Sequence, residues 1–282
     1  MRAVITSPRV LRTGAPLALT AIRQACPAVF ASEAKPDRSA RYRYVPTEVP
    51  LLAMMAEGWG VYEVSAQKAL KRPDQAPFTK HMLRMRRMGD FGPRSSERSS
   101  EDGVPELILV NSHDGSSSYL LKAGFYRFIC CNGLMVGTTM ASYQVKHTIG
   151  AKTTQEVLEA GEKVVLEGFP KMLEGIEKFK RIHLTKEVGY KLATDAIKLR
   201  YPTGMPPITE QEVLAVRRPE DEDSTLWAML NRIQENIIDG GWQTISSGYG
   251  RKSMVRPVER VSSVVNINTG IWDLANQIAE IV

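Results

Sequence analysis

The stretch from Pro105 to Gly137, PELILVNSHDGSSSYLLKAGFYRFICCNGLMVG, constrains the fold more than any other part of the chain. Two turn signals, Asp114-Gly115 and Asn132-Gly133, separate runs rich in β-forming residues. Tight hairpins need positive φ angles, which Gly, Asn and Asp tolerate, so the pattern predicts an antiparallel meander. Leu107 to Val110 is expected to pair with Ser117 to Leu121, Phe125 to Cys131 to form the next strand, and Ser142 to Thr148 to return. Alternation then puts Tyr126, Phe128 and Cys130 on one side of the sheet, with Phe125, Arg127 and Ile129 on the other.

Helical patterns flank this meander. Thr47 is an expected N-cap, with Pro50 in the first turn, a buried stripe of Val49, Leu52, Ala53 and Ala56, and Gly58 as the stop. Trp59 to Val64 reads as a strand. Thr153-Thr-Gln-Glu156 has the form of a capping box and opens a long amphipathic helix running to about Ile182, in which Pro170 should introduce a kink. Further caps are expected at Thr185 and Thr209. A helix over 224–239 ends on Gly240-Gly241, its buried face made by Leu226, Leu230, Ile233 and Ile237. A last helix spans Val261 to Val282. The order predicts an α+β fold: an antiparallel β-meander, a long amphipathic helix, then a C-terminal helical region. The expected divisions are a poorly ordered N-terminal arm over 1–40, an α+β core over 41–183 and a helical region over 184–282 packing on that core.

Composition narrows the class. A chain of 282 residues with 43% hydrophobic content buries one substantial core or two modest ones. The net charge of +6 favours acidic partners. Three cysteines, two of them adjacent (Cys130 and Cys131), form no disulfide framework and point to a reducing compartment. Met1-Arg2 and the apolar run from Pro16 to Ile22 imitate a signal peptide, but Arg23 and Pro27 interrupt it, so a cytoplasmic protein is expected. No apolar run approaches the roughly 20 residues of a membrane span.

Sites with catalytic chemistry are weakly marked. His113-Asp114, with Ser112 and Cys130 or Cys131 nearby, has the residue types of nucleophilic catalysis, yet Asp-Gly is what a turn demands. His81, His113, His147 and His183 show no metal-ligand spacing, and no Walker-type glycine motif is present, so neither metal nor cofactor is expected. Trp227, Asn231, Gln234, Glu235 and Asn236 make a polar row that reads as exposed or as a partner contact.

The strongest functional signal is basic. Lys80, Arg84, Arg86, Arg87, Arg94 and Arg98 crowd together, interleaved at first with Phe78, Met82, Leu83, Met85 and Met88. From Gly89 to Gly103 the sequence reads as a mobile loop. The plain reading of the tract is a solvated helix face plus that loop. The functional reading is a positive groove with aromatic platforms, which holds single strands without reading their sequence.

Asn111-Ser-His-Asp-Gly-Ser116, Arg127-Phe-Ile-Cys-Cys-Asn-Gly-Leu134 and Lys146-His-Thr148 together resemble a phage- and plasmid-associated family, domain of unknown function 932. Tyr44-Val-Pro-Thr-Glu48, Gly58-Trp59 and the segment from Leu226 to Gly241 are similar to it as well, so the likeness spans about residues 40 to 280. It transfers no catalytic residue. Occurrence on mobile elements implies a role in replication, recombination or repair, or against host defence. The meander followed by a long helix is also similar, at the level of fold alone, to the single-strand annealing proteins of recombination.

The resulting expectation is a DNA-binding protein, in its sharpest form a homo-oligomeric single-strand annealing protein, with no membrane partner. Arg84, Arg86 and Arg87 would hold phosphates, Lys122, Arg127 and Lys146 would line the sheet, and Tyr126 or Tyr143 would stack on bases. The alternatives are a small hydrolase or nucleotide-modifying enzyme built on His113, Asp114 and Asn132, and an anti-defence interaction module.

Overall fold

The computed structural model describes residues 4–7, 10–67, 73–87, 103–128, 133–135, 142–145, 147, 153–245 and 252–281. In chain order the first elements are β1 (Val4–Ser7), β2 (Val10–Arg12), α1 (Leu19–Ala25), α2 (Glu48–Ala56), β3 (Trp59–Ala66), β4 (His81–Arg87), β5 (Gly103–Asn111), β6 (Tyr119–Arg127), β7 (Gly133–Met135) and β8 (Ser142–Val145). Then come α3 (Thr153–Lys163), a π turn (Val164–Gly168), α4 (Phe169–Arg181), α5 (Lys186–Arg200), α6 (Glu210–Leu214), α7 (Leu226–Asp239), β9 (Gln243–Ile245), β10 (Lys252–Met254) and α8 (Val261–Ile281). The fold is α+β, as the order of patterns predicts. Two compact units are present, Met1–Gly133 with Ala141–Pro170, and Leu134–Met140 with Lys171–Val282. The division falls inside α4.

The first unit is built on an antiparallel sheet in which β1 to β6 lie side by side in chain order and β8 returns to pair with β6. Ile108 sits across from both Arg84 and Lys122, which fixes the faces of the three central strands. One face carries Leu83, Met85, Leu107, Leu109, Leu121 and Phe125, all buried. Helix α3 packs there: a Cβ on Gly161 would lie 3.0 Å from Met54 and about 4 Å from Leu107 and Leu121.

Several expectations change. The segment read as a poorly ordered arm holds β1, β2 and α1; β2 pairs with β3, and Ile22, Ala28 and Val29 are fully buried. Its short apolar clusters serve the core of the unit. The basic tract is no helix: His81–Arg87 is a strand between two others. The two strands expected over 117–121 and 125–131 are joined, because β6 runs unbroken from Tyr119 to Arg127. In α2 the buried side chains are Pro50, Leu51 and Met54, while Val49 and Leu52 are exposed. Thr47 makes no side-chain cap, since its hydroxyl is engaged elsewhere. At Pro170 the helix shifts to i→i+5 bonding just beforehand: the Phe169 N–H reaches the Val164 carbonyl, and the next residue has no N–H to place. Helix α3 begins at Thr153 as expected. Residues 88–102, which hold most of the mobile loop expected over Gly89 to Gly103, and Cys130-Cys131-Asn132 lie outside the described residues.

The second unit is helical, with a small hairpin of β9 and β10. Phe179 and Trp272 lie 5.0 Å apart between ring centres, and the caps at Thr185 and Thr209 form, the latter as a full capping box. Contrary to its reading as exposed or partner-facing, the polar row of α7 is buried: Trp227, Asn231, Gln234, Glu235 and Asn236 are each at most 5% exposed.

Candidate functional site

Strand β4 alternates Met82, Arg84, Arg86 with His81, Leu83, Met85, so Arg84 and Arg86 emerge on the face opposite the apolar one. Across it, Glu106 is the one charged residue in the nine residues of β5, and it lies on that same face. Arg84 Nε donates to one Glu106 oxygen at 2.7 Å and Arg86 Nε to the other at 2.6 Å. All three side chains are essentially buried. Such a pairing is obligatory, because a lone carboxylate in this setting would lose its hydration without return.

The cluster extends sideways. Arg12 from β2 pairs with Glu63 of β3, and Glu63 sits across from Arg84. Burial by itself would raise the Glu63 carboxyl, but the charges of Arg12, Arg84 and Arg86 overcome it and hold the group below the usual carboxylate range. Arg86 lies over two aromatic rings, its Cζ 3.4 Å from the Tyr126 centroid and 4.6 Å from that of Tyr62. Arg84 Nη1 donates to the Gly133 carbonyl at 3.0 Å. A Cβ at Gly133 would fall 1.9 Å from the Arg84 guanidinium carbon. That glycine, read from sequence as a turn residue, is required by close approach. Gly115 does act as a turn glycine, at φ +75°.

Of the residues expected to bind DNA, Arg84, Arg86, Lys122 and Tyr126 share this charged face. Arg87 and Arg127 fall on the opposite one by strand alternation, as does Tyr143, which pairs in register with Leu121. Tyr143 donates to Glu167 at 3.1 Å. Lys146 lies outside the described residues. The expected open platform is therefore half the set, and it is closed: Arg84, Arg86 and Lys122 are each at most 2% exposed. Sequence reasoning missed Arg12, Tyr62, Glu63 and Glu106. The signal for Glu106 was its isolation in an otherwise apolar strand.

A second polar cluster sits on the other face, at the end of the same strands. Thr47 Oγ1 donates to His81 Nε2 at 2.8 Å and accepts from Asn111 Nδ2 at 2.9 Å. His81 Nδ1 faces the Thr79 carbonyl, which fixes the tautomer, since a carbonyl only accepts. His113 Nε2 donates to the Ala28 carbonyl at 2.9 Å. His147 Nδ1 faces the Arg43 carbonyl and its Nε2 faces Asn111 Oδ1, both at 3.0 Å. The rings of His81 and His113 lie 5.3 Å apart, and Tyr42 stacks on His147 at 5.0 Å. Burial drives the His81 imidazole down to about 4; burial, then the neighbouring His81, takes His113 down to about 3. Burial also lowers His147, against the pull of the Arg43 carbonyl. These groups clasp residues 28–47 to the sheet.

His113 and Asp114 do not converge on a reaction centre. His113 is turned into the core, while Asp114 Oδ1 accepts from the Ser116 N–H within its own turn. Asn132 lies outside the described residues. Among the described residues, no three His, Cys, Asp or Glu side chains gather to hold a metal ion, and no helix is long and apolar enough to cross a membrane.

The family model described as "Domain of unknown function (DUF932)" matches residues 37–272. Two proteins of Escherichia coli (strain K12), "UPF0380 protein YfjQ" and "UPF0380 protein YafZ", are each 33% identical over 266 residues, covering 94% of this chain and 93% of their own. No solved structure matches.

Proposed function

The chain belongs to the family of domain of unknown function 932, and we propose that it binds single-stranded DNA through the charged face of its sheet. The observation that carries this reading is the convergence of Arg84, Arg86 and Lys122 with Tyr126 and Tyr62 on one face. Guanidinium and ammonium groups neutralise phosphates, and the tyrosines offer flat partners to unstacked bases. Glu106 holds both arginines through Nε and so sets the direction of their terminal amines. The mobile-element setting that the family resemblance implies agrees with this chemistry.

Because this face is buried, binding is coupled to its opening. The apparent affinity is reduced by the fraction of molecules that are open, and association is slower than for a preformed basic groove. Fluorescence anisotropy with a labelled single strand at low and at physiological salt tests the proposal. Binding that weakens steeply with salt, and a duplex bound less well, is the expected result. A protein that leaves the single strand free at low salt overturns it. Mass photometry of the same mixtures reads the homo-oligomer that the proposal includes.

A further inference from the structure

On the opposite side of the sheet, α3 and the π turn border a groove of about 420 Å³. Residues 155, 158, 159, 162, 165 and 166 line it, the spacing of a single helical stripe. From 155 to 166 that stripe extends roughly 16 Å, about three helical turns. Trp59, Leu158 and Leu166 supply apolar surface, and Leu166 is 65% exposed. Glu57, Glu159 and Glu162 stand around them, with Arg87 as the cation among the lining residues.

Two features of this groove point to a partner. Its lining sets Glu57, Glu159 and Glu162 against Arg87, a net negative charge on a protein whose own net charge is +6, which favours a basic partner there. It also leaves a large aliphatic side chain in water beside buried Trp59, where isolated exposure would need no explanation but a lined groove does. Arg87, expected from sequence to hold phosphate, here lies among carboxylates that would repel a nucleic acid.

We propose that this groove seats a basic amphipathic helix of a partner protein. Its apolar anchors would rest on Leu158, Leu166 and Trp59, and its lysines or arginines would reach Glu57, Glu159 and Glu162. The site is separate from the proposed DNA face, since Arg87 and Leu107 alternate with Arg86 and Glu106 along their strands.

A short labelled helical peptide of leucine and lysine, with leucines at i, i+3, i+4 and i+7, is titrated with the full chain, and a leucine and glutamate peptide serves as control. The basic peptide binds and the acidic one does not. The double variant Glu159→Lys/Glu162→Lys, both sites being exposed, binds about tenfold more weakly, as expected when rim charges become repulsive. Leu166→Asp also loses binding, whereas Leu166→Met keeps it. Circular dichroism confirms that each variant is folded. Absence of binding, equal binding of the two peptides, or an unaffected double variant overturns the proposal. So does wild-type self-association that the double variant abolishes without any peptide binding, which would give the groove to a second copy.

Discussion

Both units bury polar side chains, but of different kinds. In the second, Asn231 Nδ2 donates to the Trp227 carbonyl, Gln234 Nε2 to Asn268 Oδ1, and Asn236 Nδ2 to the carbonyls of Val213 and Ala215. These are mostly neutral amides satisfied inside the fold, and they cost little once paired. In the first unit the buried groups include guanidiniums, carboxylates and imidazoles gathered on the sheet, whereas the buried charges of the second, among the described residues, are the carboxylates Asp221 and Glu235. A buried ion pair seldom stabilises a fold better than apolar side chains of the same volume would. Its presence on one sheet face agrees with the proposed use of that face, whereas the amides of α7 are accounted for by their bonds within the fold.

The contrast can be broken at its strongest point first. Glu106→Gln leaves Arg84 and Arg86 without their shared carboxylate and should destabilise the protein by about 3–5 kcal/mol in urea unfolding. A loss under about 1 kcal/mol would mean the pair is not a structural linchpin.

Acid should come next. His81 and His113 have folded-state values near 4 and 3, below their ordinary value of 6.5. Between those limits the unfolded chain binds more protons, so stability is complete above about pH 6.5 and falls as the pH drops toward 4. At pH 5 the loss should be roughly 1–2 kcal/mol per histidine. Hydrogen exchange should show it in β4 and β5 ahead of α7, whose buried amides do not titrate. Equal loosening of the two regions would erase the distinction.

Smaller effects belong to the second unit. Asn236→Ala removes two bonds to carbonyls and should cost about 1–3 kcal/mol, with no dependence on pH between 5 and 7. Thr209→Ala dissolves the capping box of α6 and should cost about 1 kcal/mol. A thermal melt resolves each.

Local chemistry made much of this legible in the sequence. The β-rich runs between Pro105 and Val145, the glycine stop after α7 and the caps at Thr185 and Thr209 are all written in neighbouring residues. What stayed hidden depends on distant partners. Thr47 has every property of a cap, yet its hydroxyl goes to His81 and Asn111, more than thirty residues away. Arg84 and Arg86 read as solvated because arginine usually is, and only pairing with Glu106 across the sheet allows their burial. The period of two in His-Met-Leu-Arg-Met-Arg-Arg was visible, and it was the better guide to β4 than its charge.

The most direct test of the DNA-binding reading is hydrogen exchange measured with and without a saturating single-stranded oligonucleotide. Altered protection is expected in β4 and β6, the strands that carry Arg84, Arg86, Lys122 and Tyr126. Changes confined to the second unit, or none at all, would contradict it.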